Sequence, residues 1–198
     1  MKSNKNQISL NKKLICSIFC FIAAYANAQV SIGGNQGVNG NSTILDFAGN
    51  TATESPADTD TTNEKGIILP TVGSSPAYTV VTPSTNNPNN GTFIFDKTTK
   101  MIRMFENGSW INLSDAAGND TNVLINTSDD KGDGVIIGAN TTAAQGVLVL
   151  ESSDKAVILP HIKNPHTMVK SPYPGMLCYD TASNSLAVFD GSRWNYWK

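Results

Sequence analysis

The chain states one building plan twice. Gly91-Thr-Phe-Ile-Phe-Asp96 returns as Gly175-Met-Leu-Cys-Tyr-Asp180. Met101-Ile-Arg-Met-Phe105 returns as Ser185-Leu-Ala-Val-Phe189, and Trp110 returns as Trp194, all at a constant offset of 84 residues. Upstream, Lys65-Gly-Ile-Ile-Leu-Pro70 returns as Lys155-Ala-Val-Ile-Leu-Pro160, and Val30-Ser-Ile-Gly33 returns as Val135-Ile-Ile-Gly138. The blocks keep their order while the loops between them shrink. Duplication of a building block without evident catalytic residues is how structural and adhesive proteins are made. It also speaks against an enzyme, whose site is ordinarily asymmetric.

Residues 1–28 read as a secretory signal peptide. Lys2, Lys5, Lys12 and Lys13 form a basic start, Leu14 to Ala24 an apolar run, and Ala26-Asn27-Ala28 a small-x-small cleavage site. The apolar run is too short to span a bilayer comfortably. Cys16 and Cys20 follow Ile15 and Phe19, unlike a lipoprotein signal, where a small residue precedes the modified cysteine. The expected product is an exported chain of 170 residues, secreted or held at the cell surface, with no membrane insertion after cleavage.

Without the leader, ten basic residues face sixteen acidic ones, a net charge of −6. This balance excludes nucleic acid as a partner, since phosphates need a basic face. It equally opposes docking on an anionic membrane. Cys178 alone survives processing, so no intrachain disulfide can form. It alternates with apolar residues in a strand pattern and reads as a buried, inert thiol.

After Ala28 the pattern is all-β, with no helix. Apolar residues alternate or come in short β-branched runs bounded by Gly, Asn, Asp and Pro. The expected organisation is a first β unit over 29–114, a linker over 115–134 carrying a short strand at Val123-Leu-Ile125, and a second β unit over 135–198. Residues 48–64 hold no large apolar side chain and read as a loop. Residues 73–91, with three prolines, read as a second flexible loop.

Each unit ends in a three-strand meander. Phe93 and Phe95 share one strand face, with Ile94 on the other. Asp96 and Asp180 start turns, where a carboxylate can accept its own downstream amides. Asn107-Gly108 and Asp190-Gly191 are hairpin dipeptides that tolerate positive φ. The positions that carry the repeat are Gly91, Asp96, Phe105 and Trp110, matched by Gly175, Asp180, Phe189 and Trp194.

These residues carry a resemblance. A Val-x-Ile-Gly opening, a short strand, a Lys-Gly-x-x-Leu-Pro step, a Gly-x-apolar-x-Tyr/Phe-Asp strand and a closing Phe-Asp-Gly-x-x-Trp together resemble exported repeat proteins similar to bacteriophage tail-fibre segments. The second unit carries the pattern best, in Gly175, Tyr179-Asp180-Thr181, Phe189-Asp190-Gly191 and Trp194. The first departs from it, with Lys97 for the Thr and Glu106-Asn107-Gly108 for the Asp-Gly step. The resemblance implies a fibrous or adhesive role, often as a parallel homotrimer with a shared core.

Composition points the same way. Leu, Ile, Val and Phe make up 38 of the 170 residues, about 22%, close to the roughly 20% below which charged chains tend to disorder. A sheet with an open apolar face is marginal in water. The expectation is therefore a trimer held by faces such as Phe93, Phe95, Phe105, Leu177, Tyr179, Phe189 and Trp194.

Trp110 and Trp194 suit either sugar stacking or meander packing, and their repetition favours packing. Tyr196 and Trp197 have Asn112 and Leu113 as counterparts, which makes them the better candidates for an adhesion surface, with packing in a trimer as the competing role. Their partner would be a surface glycan or a protein receptor. Asp129-Asp130-Lys131-Gly132-Asp133-Gly134 hints at a calcium loop, but its spacing is wrong for an EF-hand and no Glu follows at the required distance. Asp180-Thr181-Ala182 and Asp60-Thr61-Thr62 resemble a bacterial O-glycosylation acceptor. No phosphate loop, metal helix or nucleophile triad is present in the sequence, and no cofactor is implied. The expected function is a non-catalytic, fibre-like structural or adhesion protein. The rival reading is a monomeric secreted carbohydrate-binding module.

Overall fold

The computed structural model describes residues 30–32, 42–47, 64–121, 123, 125 and 134–198. The leader and residues 48–63 of the first polar loop lie outside the described residues. The architecture is all-β, as the alternation predicts. Strands β1 (Val30–Ser31), β2 (Thr43–Asp46), β3 (Ile67–Ile68), β4 (Thr71–Val72), β5 (Phe93–Asp96), β6 (Met101–Glu106) and β7 (Ser109–Asn112) come from the first unit. Strands β8 (Val135–Ile137), β9 (Leu148–Leu150), β10 (Ala156–Ile158), β11 (His161–Ile162), β12 (Met176–Asp180), β13 (Ser185–Phe189) and β14 (Trp194–Trp197) come from the second.

Both meanders form where the repeat places them. β5, β6 and β7 are antiparallel neighbours, as are β12, β13 and β14. The turn chemistry repeats with the sequence. The Asp96 carboxylate accepts the amides of Thr98 (2.9 Å) and Thr99 (3.2 Å), and Asp180 accepts that of Ala182 (3.0 Å). Each turn closes on a left-handed residue, Lys100 at φ 57° or Asn184 at φ 53°. Gly91 and Gly175 enter their strands at φ 90° and 88°, a conformation that L side chains rarely adopt.

The meanders gain a fourth strand that periodicity did not reveal. β4 runs parallel to β5, and β11 runs parallel to β12. Both follow the Leu-Pro step. Phe95 donates to the Pro70 carbonyl and Tyr179 to the Pro160 carbonyl, each at 2.9 Å. Two-residue strands are too short to show alternation. The remaining ladders cross between units: β3 lies antiparallel to β12, and β10 lies parallel to β2, whose other side carries β1. β8 and β9 form a separate parallel pair.

The four-stranded sheet of the first unit and the five-stranded sheet of the second, which β3 joins, pack face to face through equivalent faces. Phe95, Ile102 and Leu113 of the first meet Leu177 and Val188 of the second, with Leu69 and Val123 completing the core. The aromatic faces expected to await partner chains are therefore covered within one chain. Phe105, Phe189 and Trp194 lie on the opposite faces of their sheets, because residues of opposite parity point to opposite sides. Those faces are covered too. Residues 73–91, read above as flexible, place Tyr78 edge-on against Phe105 (4.9 Å) and stacked on Trp110 (5.8 Å). In the second unit, Ile162 and Val169 close over Met176, Cys178 and Ala187, with Phe189 and Trp194 alongside.

Among the described residues, two short turns of helix depart from the expected helix-free pattern. One is a 3-10 turn at Ser84–Asn86, the other a four-residue helix, α1 (Pro165–Met168). Proline at its first position suits helix entry, because the missing N–H is unbonded there anyway. Val123 is buried, but it follows a turn bond to Asp120 (3.0 Å) rather than lying in a ladder strand. Among the described residues, no helix is long and apolar enough to cross a membrane.

Candidate functional site

The repeat positions are occupied with holding the fold. Gly91 donates to the Phe105 carbonyl and Gly175 to the Phe189 carbonyl, both at 2.8 Å. Asp96 accepts from Ser75, at its amide (3.0 Å) and its hydroxyl (2.5 Å), and pairs with Arg103 at 3.4 Å. Asp180 accepts from the Asn164 amide (2.9 Å) and the Ser183 hydroxyl (2.7 Å). Burial alone would raise both carboxyls, but these hydrogen bonds outweigh it and hold them below the ordinary carboxylate value. The Trp110 indole donates to the Pro76 carbonyl (2.9 Å) and packs on Phe105. Trp194 lies tilted against Phe189 at 5.4 Å.

Tyr196 and Trp197 are successive residues of β14, and both expose about two fifths of their surface. They are not equally free. The Trp197 indole N–H donates to the Leu113 carbonyl at 2.8 Å, fixing one edge of the ring. The Tyr196 hydroxyl lies 3.2 Å from His166 Nδ1 of α1. Burial, with Asp180 and Cys178 nearby, pushes the Tyr196 phenol up to about 12, so it stays a neutral donor at physiological pH. Successive strand residues point to opposite faces, so Tyr196 lies opposite Ala187 on the outer face and Trp197 opposite Leu186 on the face turned to the first unit, and the two rings do not form one platform. Neither anchoring bond is legible in the sequence, because both partners are far off in the chain.

Cys178 is buried, and burial together with Asp180 pushes its thiol up to about 12, opposite to the shift that activates a nucleophile. His161 lies in β11 with its ring tilted on Tyr179 (5.2 Å), and His166 faces Tyr196. Among the described residues, no group of three or more His, Cys, Asp or Glu is placed to hold a metal. Of the Asp129 to Gly134 run, only Gly134 lies within the described residues. Thr181 is buried, and its hydroxyl has no hydrogen-bond partner, so the folded chain does not present it for glycosylation.

The exposed apolar side chains gather elsewhere. Val135, Val147 and Leu148 stand out around the β8–β9 pair, and Val30, Ile32 and Val157 around the β1–β2–β10 sheet. Val147 is 62% exposed and Leu148 44%. Residues 136–198 match a family described as a phage tail like trimerisation region. The matched stretch starts inside β8 and takes in β9 and the whole second meander. No curated protein and no solved structure matches the chain.

Proposed function

We propose that the chain is exported by a cleaved leader and acts as a fibre-like homotrimer without catalytic activity, at the cell surface or beyond it. The match of residues 136–198 to a phage tail like trimerisation region carries this reading. Apolar side chains left open around β8 and β9 support it, since a monomer gains nothing from presenting them to water. In this assembly Tyr196 and Trp197 form the adhesive surface, offered to a surface glycan or a protein receptor. Sedimentation equilibrium of the exported protein tests the assembly, with three times the chain mass expected. A glycan array tests the surface, with binding lost in Tyr196→Ala.

A monomeric carbohydrate-binding module is the second reading, and one observation favours it. The two meanders cover each other within one chain, so a folded core does not require neighbours. A stable monomer at micromolar concentration that still binds glycans would decide for it.

A further inference from the structure

Among the described residues, the repeat and the ladders together leave two strand edges open. β2 is flanked on both sides. Asp46 gives its carbonyl to the Ile32 amide beside β1 (2.9 Å), while Phe47, one residue on, donates to the Ile158 carbonyl of β10 (3.3 Å). The Leu-Pro strand of the second unit thus closes the short strand of the first. β9 is the counterpart of β2, and it lies parallel to β8 as β2 lies parallel to β1. Among the described residues, nothing stands beside β9 where β10 stands beside β2.

The open edge can be assigned residue by residue. Val147 accepts from the Val135 amide (3.0 Å) and Glu151 donates to the Ile137 carbonyl (2.9 Å). Successive strand residues alternate in direction, so the amides and carbonyls of Leu148 and Leu150 point away from β8. β3, the counterpart of β10, is open in a complementary way. Ile67 lies opposite Leu177, and Leu69 donates to the Gly175 carbonyl (3.0 Å). The backbone of Ile68 between them therefore points away from β12, and its side chain is 44% exposed. Ile68 is the counterpart of Ile158, the residue that joins β10 to β2. The edge that β10 uses is the edge that β3 leaves unused.

We propose that β3 of one copy adds in parallel to β9 of a second copy, repeating between chains the β10–β2 joint made within each chain. This rests on the homotrimer reading and names its contact. The joint would cover Ile68 and Leu148 and satisfy two unpaired edges, which otherwise invite aggregation. Each chain donates one β3 and accepts one. Such a head-to-tail contact closes into a ring when successive copies turn by a third of a revolution, leaving neither edge open.

Cysteine pairing tests the joint. Parallel neighbours bring Cα atoms within the roughly 4.4–6.8 Å that a disulfide spans. Ile158 lies opposite Asp46, whose own backbone faces β1, so Ile68 would lie opposite the matching residue of β9, Glu151, on the same face. Ile68→Cys and Glu151→Cys are combined in one exported chain, refolded and mildly oxidised, with Val149→Cys in place of Glu151→Cys to cover a register two residues away. The expected product is a covalent three-chain band on a non-reducing gel, with peptide mapping placing the bond between positions 68 and 151 or 149. A trimer by sedimentation with neither bond overturns the joint and leaves the trimer standing. A bond formed inside single chains overturns it as well, and a monomer by sedimentation overturns both readings. Ile68→Pro supplies an independent measurement. It removes an amide that faces away from β12, so the tryptophan near-ultraviolet signal should persist while the trimer is lost at micromolar concentration. An intact Ile68→Pro trimer overturns the joint.

Discussion

The Trp197 indole donates to the carbonyl of Leu113, its own counterpart 84 residues upstream. Equivalent residues of a repeat touch each other when two units face across a local pseudo-twofold axis. The shared core has the same character, because the inward residues of both meanders occupy equivalent strand positions. The chain is thus a face-to-face pair of sheets, with its last strand tied to the end of the first meander.

Replacing Trp197 by Phe keeps an aromatic ring and deletes the N–H. The Leu113 carbonyl then loses its donor, at an expected cost of about 1 kcal/mol. Urea titration of the purified chain measures this. An unchanged midpoint would mean that solvent replaces the bond without cost.

Cys178 should resist thiol reagents in the folded chain. It is buried, and its thiol is pushed up to about 12, so at pH 8 the reactive thiolate is a negligible fraction. Labelling by a chromogenic disulfide reagent should be slow under native conditions and rapid in denaturant. Rapid native labelling would show that the cover made by Ile162 and Val169 opens readily.

Asp96 should make the fold acid-sensitive. Burial raises its carboxyl, but bonds from Ser75, Thr99 and Thr98 prevail and hold it below its ordinary 3.8. A carboxyl depressed by folding stabilises the native state above the unfolded value, and that contribution fades as pH falls through the folded value. Stability should therefore decline below pH 3.8. Asp96→Asn should cost roughly 1.5–3 kcal/mol at neutral pH, the worth of hydrogen bonds to a charged group, and should flatten the acid limb. Denaturant midpoints at pH 3 and pH 7 give both quantities.

The meanders were legible because their strands are long enough to alternate and their turns use Asp, Asn and Gly for identifiable backbone reasons. Phe93, Phe95 and Asp96 fall where that pattern places them. β4 and β11 were hidden because two residues have no period, and the Leu-Pro step that launches them looks like any loop. The covering of the sheets is not legible for a different reason. An apolar face looks the same in sequence whether its partner belongs to the same chain or to another. Tyr78 and Val169, which cover the outer faces, come from proline-containing stretches with no strand signal. Tyr196 and Trp197 stood out as unmatched aromatics, but their bonds to His166 and Leu113 depend on long-range packing that no local pattern encodes.

Phe95 offers the sharpest test of the shared core. Its ring is fully buried between the two sheets, among Ile102, Leu113, Leu177 and Val188. Truncation to Ala leaves a cavity that two rigid sheets cannot close, and Phe→Ala changes of this kind cost about 3–5 kcal/mol. For a chain of this length that is a fall of roughly 6–20 °C in melting temperature. The location of the loss matters more than its size. Phe95 belongs to the first unit, yet half of its surroundings belong to the second. If one core serves both, Trp110 and Trp194 should report the same lowered midpoint, because a single cooperative transition unfolds them together. Fluorine-labelled tryptophan resolves the two positions by NMR during a urea titration. Should Trp194 keep its original midpoint while Trp110 shifts, the units unfold independently, and the face-to-face contact contributes little to holding them together.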